Sequence, residues 1–230
     1  ELAPDLGRGV AGDKYMSRHE VLSDVLAALG EAAVLNAALE RGIELPPSDQ
    51  KGAAALLKKV RFAARQEPDR YPDWSPESWQ RVLPGLALPF LGAVRSFAEL
   101  RKADWHTILQ NALGYDLLRE LNQEYPDFFT TPVGASHRID YDREQPTLPV
   151  RVQELYGVKT HPTVGRSKFP LRLELLSPAH RPVQVTTDLP GFWAGSWKLV
   201  QKEMKGRYPK HFWPDDPADA APTTRTKAKM

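Results

Sequence analysis

Apolar side chains recur at helical spacing through the first 125 residues, so this part of the chain is predicted to be mostly helical. Polar residues that can cap a helix stand before most of these apolar runs. Gly42 can end the first helix in the left-handed conformation, and the second helix is predicted to reach about Gln66. The predicted helix starts are the capping box Ser17–Glu20, Ser48 or Asp49, Ser75 with proline in the first turn, and Asp104.

Proline and glycine interrupt the apolar pattern that follows the third predicted helix. Proline has no amide hydrogen to donate inside a helix, and glycine favours helices less than any residue except proline. We therefore expect several short helical pieces there. The interrupting residues are Pro84, Gly85, Pro89 and Gly92. One more helix is predicted just before Tyr125.

From Thr130 onward the pattern changes to short alternating or β-branched runs, which are typical of strands. These runs are HRIDY, TLPVRV, PLRLELL and RPVQVTT, with turn residues between them. The string SPAHRP favours a hairpin loop between the last two runs. VRVQELYG fits either a strand or a helical turn, because Val152, Leu155 and Tyr156 also have helical spacing.

A final helix is predicted from Asp188, which can cap it, to about Lys205, with Gly206 as its stop. At about 100° per residue, the apolar side chains of this segment fall on one face, which favours packing against the rest of the protein. Aromatic residues beyond Gly206 are predicted to fasten the chain end, although they could also stack on bases. The predicted anchors are Trp193, Trp197, Met204, Tyr208, Phe212 and Trp213.

The opposite face of the final helix carries Lys198, Lys202 and Lys205, and the charge continues with Arg207 and Lys210. A basic stripe of this kind can contact nucleic-acid phosphates, because each neutralised phosphate releases counterions. An ordinary solvated surface explains the same pattern. These five cations are therefore candidate nucleic-acid contacts.

The patterns together predict an α+β fold, with a mostly helical N-terminal half, a small, largely antiparallel sheet and a C-terminal amphipathic helix. The predicted segments are an irregular stretch at 1–16, a helical region at 17–129, a mixed β/α module at 130–213 and a mobile tail at 214–230. The tail is assigned as mobile because its sequence has few apolar residues.

Charge is unevenly distributed although the chain as a whole carries only +2. Residues 131–230 hold 16 Lys and Arg against 10 Asp and Glu, whereas residues 1–130 hold 15 against 19. The basic half suits a polyanion or an acidic docking surface, and an uneven solvated surface is the alternative. The absence of cysteine excludes disulfides and thiolate zinc sites. No apolar run is long enough to span a membrane, and a cytoplasmic location is expected.

None of the possible catalytic or metal groupings has the context that its chemistry requires. The string GRGVAG matches a dinucleotide-binding pattern, but no strand precedes it. The six histidines are scattered without helical pairing, so no metal site is expected. Ser136, His137 and Asp140 lie close in sequence but lack the G-x-S-x-G turn that exposes a nucleophile. A hydrolase site around them stays a minor hypothesis, and no catalytic residue is assigned.

Several strings nevertheless resemble the C-terminal region of the bacterial HrpB family of DExH-box ATP-dependent helicases, usually described as RNA helicases. The most specific are PLRLELLSPAHRPVQVTTDLPGFW and KEMKGRYPKHFWPDDP, supported by TTPVGASHRIDY, VRVQELYG and PTTRTK. The stretch from LPPSDQ to SFAEL is similar to a less distinctive helical part of the family. The resemblance is specific from about residue 130 and weaker over 43–129.

The resemblance implies a C-terminal accessory region behind the motor domains of a helicase. ATP and Mg²⁺ would then belong to those motor domains, because the phosphate-binding loop and acidic motif of the motor match no position here. The expected partners are the motor domains of the same polypeptide and single-stranded RNA or DNA, and no membrane. The alternative is an autonomous nucleic-acid-binding or protein-interaction module without a motor.

Overall fold

Helical periodicity in the first half of the chain produces six α-helices within the part that the structure, a computed structural model, describes: residues 30–226 except Ala93. The predicted irregular stretch 1–16, the string GRGVAG and the Ser17–Glu20 capping box lie outside these residues. The helices are α1 (Glu31–Glu40), α2 (Lys51–Gln66), α3 (Pro76–Leu91), α4 (Phe97–Lys102), α5 (Trp105–Leu113) and α6 (Tyr115–Glu124).

Local capping sets several of these helix boundaries. The hydroxyl of Ser75 accepts the Ser78 amide at the start of α3, and the Asp104 carboxylate accepts the Thr107 amide at the start of α5, as predicted. Gly42 follows α1 with a φ of 67°, the left-handed conformation expected of it. The prediction for α2 was wrong at its start, because Gln50 precedes the helix and no side chain caps it.

Helix α3 continues through Pro84 and Pro89, so the prediction of short helical pieces was wrong. Proline removes a backbone hydrogen bond, but one face of α3 packs into the core along its whole length. The buried residues on that face are Trp79, Leu83, Ala87 and Leu91. Burial of these side chains offsets the local cost of proline, and α3 ends only at Gly92.

The second half contains short strands that form small sheets. They are β1 (Phe128–Thr130), β2 (Ser136–Arg138), β3 (Thr147–Arg151), β4 (Thr163–Val164), β5 (Phe169–Pro170), β6 (Arg172–Leu176) and β7 (Pro182–Thr186). The largest sheet has the order β3-β6-β7, in which β6 and β7 form the predicted antiparallel hairpin and β3 pairs with β6 in parallel. The ambiguous string after β3 forms a 3₁₀ turn at Val152–Leu155. The predicted α+β class is confirmed.

The C-terminal part forms two helices where one was predicted, α7 (Leu189–Ala194) and α8 (Trp197–Arg207). Asp188 caps α7 by accepting the Gly191 amide, as expected. The helical conformation is interrupted at Gly195, where an added Cβ would lie 3.1 Å from the Gly191 carbonyl oxygen. Helix α8 passes Gly206 and ends at Arg207. No described helix has the length and apolar character needed to cross a bilayer.

The helical and mixed halves share one contiguous core. Phe62 of α2 lies at the join, with its ring centroid 5.6 Å from that of Tyr141 and 5.4 Å from that of Phe169. Tyr125, at the end of α6, donates its hydroxyl to Glu67 over 2.7 Å. Gly165 has a φ of 72°, and an added Cβ there would lie 2.6 Å from the Tyr125 hydroxyl oxygen. The two halves therefore pack against each other through side chains that residues of both halves cover.

Candidate nucleic-acid interface

Trp197, the first residue of α8, is the centre of an aromatic cluster. Its side chain is fully buried, and its indole Nε1 donates to the carbonyl oxygen of Pro214 over 3.0 Å. Four rings have centroids between 5.5 and 6.2 Å from its own, mostly in edge-to-face arrangements. They belong to Tyr156, Phe192, Trp193 and Trp213. This cluster, which we call the Trp197 cluster, fixes the position of α8.

The structure buries most of the residues that the sequence suggests as anchors. Trp193, Trp197, Met204 and Trp213 are buried, and Tyr208 and Phe212 are partly buried. The Tyr208 hydroxyl lies 3.2 Å from the hydroxyl of Ser177, at the end of the β6–β7 hairpin. Trp213 is buried, so its ring packs in the core and is not available to stack on bases. Tyr208 and Phe212 are partly buried, and base stacking by them stays a prediction.

Gln201 is an anchor that the sequence analysis missed. Its side-chain amide is buried and donates to the carbonyl oxygens of Trp213 and Pro214 and to the carboxylate of Asp215. Gln201 lies four residues after Trp197, so the two side chains share a helix face. That spacing was the available signal, but a glutamine on an apolar face does not by itself reveal its distant backbone partners.

The residues from Pro214 to Thr226 are attached to the body of the protein, whereas the sequence predicts a mobile tail from Pro214. The Gly157 amide donates to the Pro217 carbonyl oxygen over 2.9 Å, and the Thr223 amide to that of Gln153 over 3.0 Å. An added Cβ at Gly157 would lie 3.2 Å from the carbonyl oxygen of Ala220. Backbone hydrogen bonds and buried prolines attach the segment, and neither gives an apolar sequence pattern.

The five candidate cations, Lys198, Lys202, Lys205, Arg207 and Lys210, are all exposed. Lys205 lies 3.3 Å from Asp215, and Arg207 lies 2.9 Å from Glu203. Across residues 30–226 without Ala93, the other three have no carboxylate within 4.0 Å. We call this surface the α8 basic face.

Leu199 is also exposed on the outer side of α8, with 75% of its surface accessible. Leu199 lies between Lys198 and Lys202 in the sequence, so the exposed surface contains an apolar side chain beside the cations. The Trp197 cluster holds the opposite side of the helix. The α8 basic face is therefore a charged surface on a helix whose opposite side the Trp197 cluster holds in place.

Comparison with known proteins identifies the family. A family model described as "ATP-dependent helicase C-terminal", HrpB_C, matches residues 87–217, which is more than half of the chain. The chain belongs to this HrpB C-terminal family. It is similar to the ATP-dependent RNA helicase HrpB of Escherichia coli K12, at 41% identity over 197 residues. That match covers 85% of this chain and 24% of the relative.

Two solved structures share this HrpB C-terminal fold. The crystal structure of the E. coli DExH-box NTPase HrpB matches with a TM-score of 0.70 and 43% identity, over 76% of this chain and 22% of that one. The crystal structure of the E. coli DEAH/RHA helicase HrpB matches with a TM-score of 0.59 and 33% identity, over 90% and 25%. The chain thus spans about a quarter of the length of these relatives.

Ser136, His137 and Asp140 of this HrpB C-terminal chain each engage a different partner. The Ser136 hydroxyl lies 3.2 Å from that of Thr130, and His137 Nε2 lies 2.5 Å from a carboxylate oxygen of Glu154. The Asp140 carboxylate accepts the backbone amide of Asp142. Ser136 and His137 therefore do not form the hydrogen bond that a nucleophile and its base need. The hypothesis of a hydrolase site around these residues was wrong.

Glu154 is a buried carboxylate with no exposed surface. Arg151 Nε donates to it over 2.6 Å, and the Thr131 hydroxyl donates over 3.3 Å. Burial raises the pKa of Glu154, but hydrogen bonds from His137 and Arg151 together outweigh it and hold the pKa below its usual range. The carboxylate joins β2, β3 and the 3₁₀ turn, which makes it a structural element of the HrpB C-terminal fold.

Metal ligation has no support among the residues that the structure describes. No three His, Asp or Glu side chains within residues 30–92 and 94–226 are grouped so that they could share a metal ion.

Proposed function

We propose that the chain is a non-catalytic accessory region of an HrpB-type ATP-dependent helicase, and that the α8 basic face contacts single-stranded nucleic acid. The observation that carries the second part is the exposure of Lys198, Lys202 and Lys210 without carboxylate partners in the described residues, on a helix fixed by the Trp197 cluster. ATP and Mg²⁺ belong to the motor domains in this proposal. A cytoplasmic location follows from the same role.

Binding of a labelled single-stranded 12-mer, as RNA and as DNA, tests the nucleic-acid contact by fluorescence anisotropy at about 50 to 200 mM salt. Each phosphate contact on a single strand contributes about 0.7 to the slope of log affinity against log salt. Changing Lys198, Lys202 and Lys210 to Glu is therefore expected to reduce the magnitude of this negative slope by about 2 and to lower the affinity at least about tenfold.

A matched control changes the exposed cations Arg95, Arg101 and Lys102, around α4, to Glu. The control has the same change in net charge, so it separates a local contact from a general electrostatic effect. We expect it to keep most of the affinity. Equal losses in both variants, or binding by the wild type that does not depend on salt, would rule out a contact through the α8 basic face.

A second role, docking on the motor domains of the same polypeptide, is favoured by a different observation. Several large apolar side chains are exposed outside the α8 basic face. Phe90, Tyr115 and Phe128 expose 45%, 78% and 54% of their surface. Exposed aromatic residues are typical of protein interfaces. An autonomous binding module is the alternative, and it predicts nucleic-acid binding without any effect on a helicase motor.

A further inference from the structure

The loop that connects β6 to β7 contains an exposed histidine and an exposed arginine, His180 and Arg181. Across the described residues, the guanidinium group of Arg181 has no carboxylate within 4.0 Å. We call residues 178–181 the β6–β7 loop. Neither His180 nor Arg181 belongs to the α8 basic face, so the loop adds a cation and an aromatic ring that the proposed function does not use.

The backbone of His180 has a left-handed conformation, with a φ of 57°. Three residues, Pro178, Ala179 and His180, connect Ser177 to Arg181, and in hairpin loops of this length glycine is the usual residue at the left-handed position. A side chain there costs conformational energy, although histidine tolerates the conformation better than most residues do. Because the ring is exposed, packing does not explain why a histidine stands where glycine fits better.

Ser177 fastens the β6–β7 loop to the end of α8. Its buried hydroxyl accepts the Arg181 amide over 3.1 Å and lies 3.2 Å from the hydroxyl of Tyr208. The Ser177 carbonyl oxygen accepts the His180 amide over 2.9 Å, which closes the loop. Tyr208 directly follows α8 and stands two residues before Lys210, a cation of the α8 basic face. The loop is therefore held next to the C-terminal end of that face.

The carboxylates of β6 and α8 are already engaged. Glu174 of β6 forms ion pairs with Arg172 and Arg143. Glu203 of α8 forms an ion pair with Arg207 at 2.9 Å. Strand β7 and the loop itself contain no acidic residue. The cations at this end of the surface are therefore available to an external anion, and a phosphate forms strong charge-assisted hydrogen bonds with such groups.

We propose that the β6–β7 loop contacts the same nucleic-acid strand as the α8 basic face, with Arg181 bound to a phosphate and His180 stacked on an unpaired base. A guanidinium group presents paired donors that match phosphate oxygens, and histidine is among the aromatic rings on which splayed bases stack. The binding surface then runs from Lys198 along α8 to Lys210 and on to Arg181. This inference rests on the proposed contact through α8 and adds a second element to it.

Two variants of the full chain test the proposal with the labelled single-stranded 12-mer. Arg181→Glu is expected to weaken binding about tenfold and to reduce the magnitude of the salt slope by about 0.7, which corresponds to one phosphate contact. His180→Gly is expected to weaken binding about fivefold or more, because it removes the stacked ring. His180→Gly should leave thermal stability equal or higher, since glycine adopts the left-handed conformation without strain. A purely structural histidine would instead give lower stability and unchanged affinity.

Lys168→Gly is the matched control for His180→Gly. Lys168 is also exposed and left-handed, with a φ of 52°, but it lies between β4 and β5, where Phe169 packs against α2. Arg95→Glu is the control for Arg181→Glu, because it makes the same change in charge at an exposed site before α4. Both controls are expected to bind the 12-mer as the wild type does.

The variant in which Lys198, Lys202 and Lys210 are changed to Glu separates failure of this inference from failure of the proposed function. If that variant loses affinity while folded Arg181→Glu and His180→Gly bind as the wild type does, the inference is overturned and the contact through α8 stands. If that variant binds as the wild type does, the proposed contact through α8 fails and the inference fails with it. Losses in all three variants, with both controls unaffected, support the inference.

An acidic protein surface is the alternative ligand for the same cations. An oligoglutamate with the same charge as the 12-mer tests it by competition. We expect the oligoglutamate to displace the 12-mer weakly and to be insensitive to His180→Gly, because it has no bases to stack. Displacement as strong as that by unlabelled 12-mer, with equal losses in both loop variants, would overturn the assignment of a nucleic-acid strand.

Discussion

Replacing Trp197 with Ala is expected to destabilise the chain by about 3 to 5 kcal/mol, which is the range for removing a large buried aromatic side chain. The change removes a fully buried indole from the centre of the Trp197 cluster and the hydrogen bond to Pro214. Four neighbouring rings then line a void that they cannot fill without moving the backbone. Urea denaturation followed by circular dichroism measures the difference in the free energy of unfolding.

Leu199→Ala is the matched control, since it shortens an apolar side chain two residues later on the same helix. Leu199 is 75% exposed, so its truncation should change the free energy of unfolding by no more than about 0.5 kcal/mol. Similar losses for the two variants would mean that α8 is not held by the Trp197 cluster. The Trp197→Ala change should also weaken binding of the 12-mer, because the Trp197 cluster holds the helix that carries the α8 basic face.

Glu154→Gln is expected to cost on the order of 3 kcal/mol at neutral pH, because it removes the charge of a buried carboxylate that pairs with Arg151 and His137. The pKa of this carboxyl is below its usual range in the folded protein. Its contribution to stability is therefore present above the unfolded pKa of about 4.3 and is lost as pH falls through the lower folded pKa.

The free energy of unfolding, measured by urea titration between pH 7 and pH 3, should fall more steeply for the wild type than for Glu154→Gln. The two curves should approach each other at the acidic end. Glu174→Gln is the control, because Glu174 is 29% exposed and pairs with Arg172 and Arg143 near the surface. Pairs of that kind contribute at most about 1 kcal/mol. Parallel curves for wild type and Glu154→Gln would show that the buried carboxylate does not stabilise the fold.

Features that depend on a few neighbouring residues could be predicted from the sequence. The caps at Ser75, Asp104 and Asp188 each use a side chain that accepts an amide three residues later, so the local sequence contains the whole interaction. The β6–β7 hairpin and the exposure of the lysines on α8 were also predicted from patterns among neighbouring residues. These elements gave the fold class.

Features that depend on distant packing could not be predicted in this way. Helix α3 passes through Pro84 because its buried face contacts α1 and α5, and the local cost of proline alone suggests a break. The sequence predicts one continuous final helix, but the backbone leaves helical geometry at Gly195, where φ is −105° and ψ is −91°.

The proposed accessory role is tested most directly by adding this chain to the motor domains of an HrpB-type helicase that has been truncated before the matching region. Sedimentation measures association, and nucleic-acid-stimulated ATP hydrolysis measures its effect. We expect a one-to-one complex and a several-fold change in hydrolysis or in affinity for single strands. A variant with Lys at positions 115 and 128, in place of Tyr115 and Phe128, should associate less. Absence of both association and any change in hydrolysis or affinity would contradict the proposal.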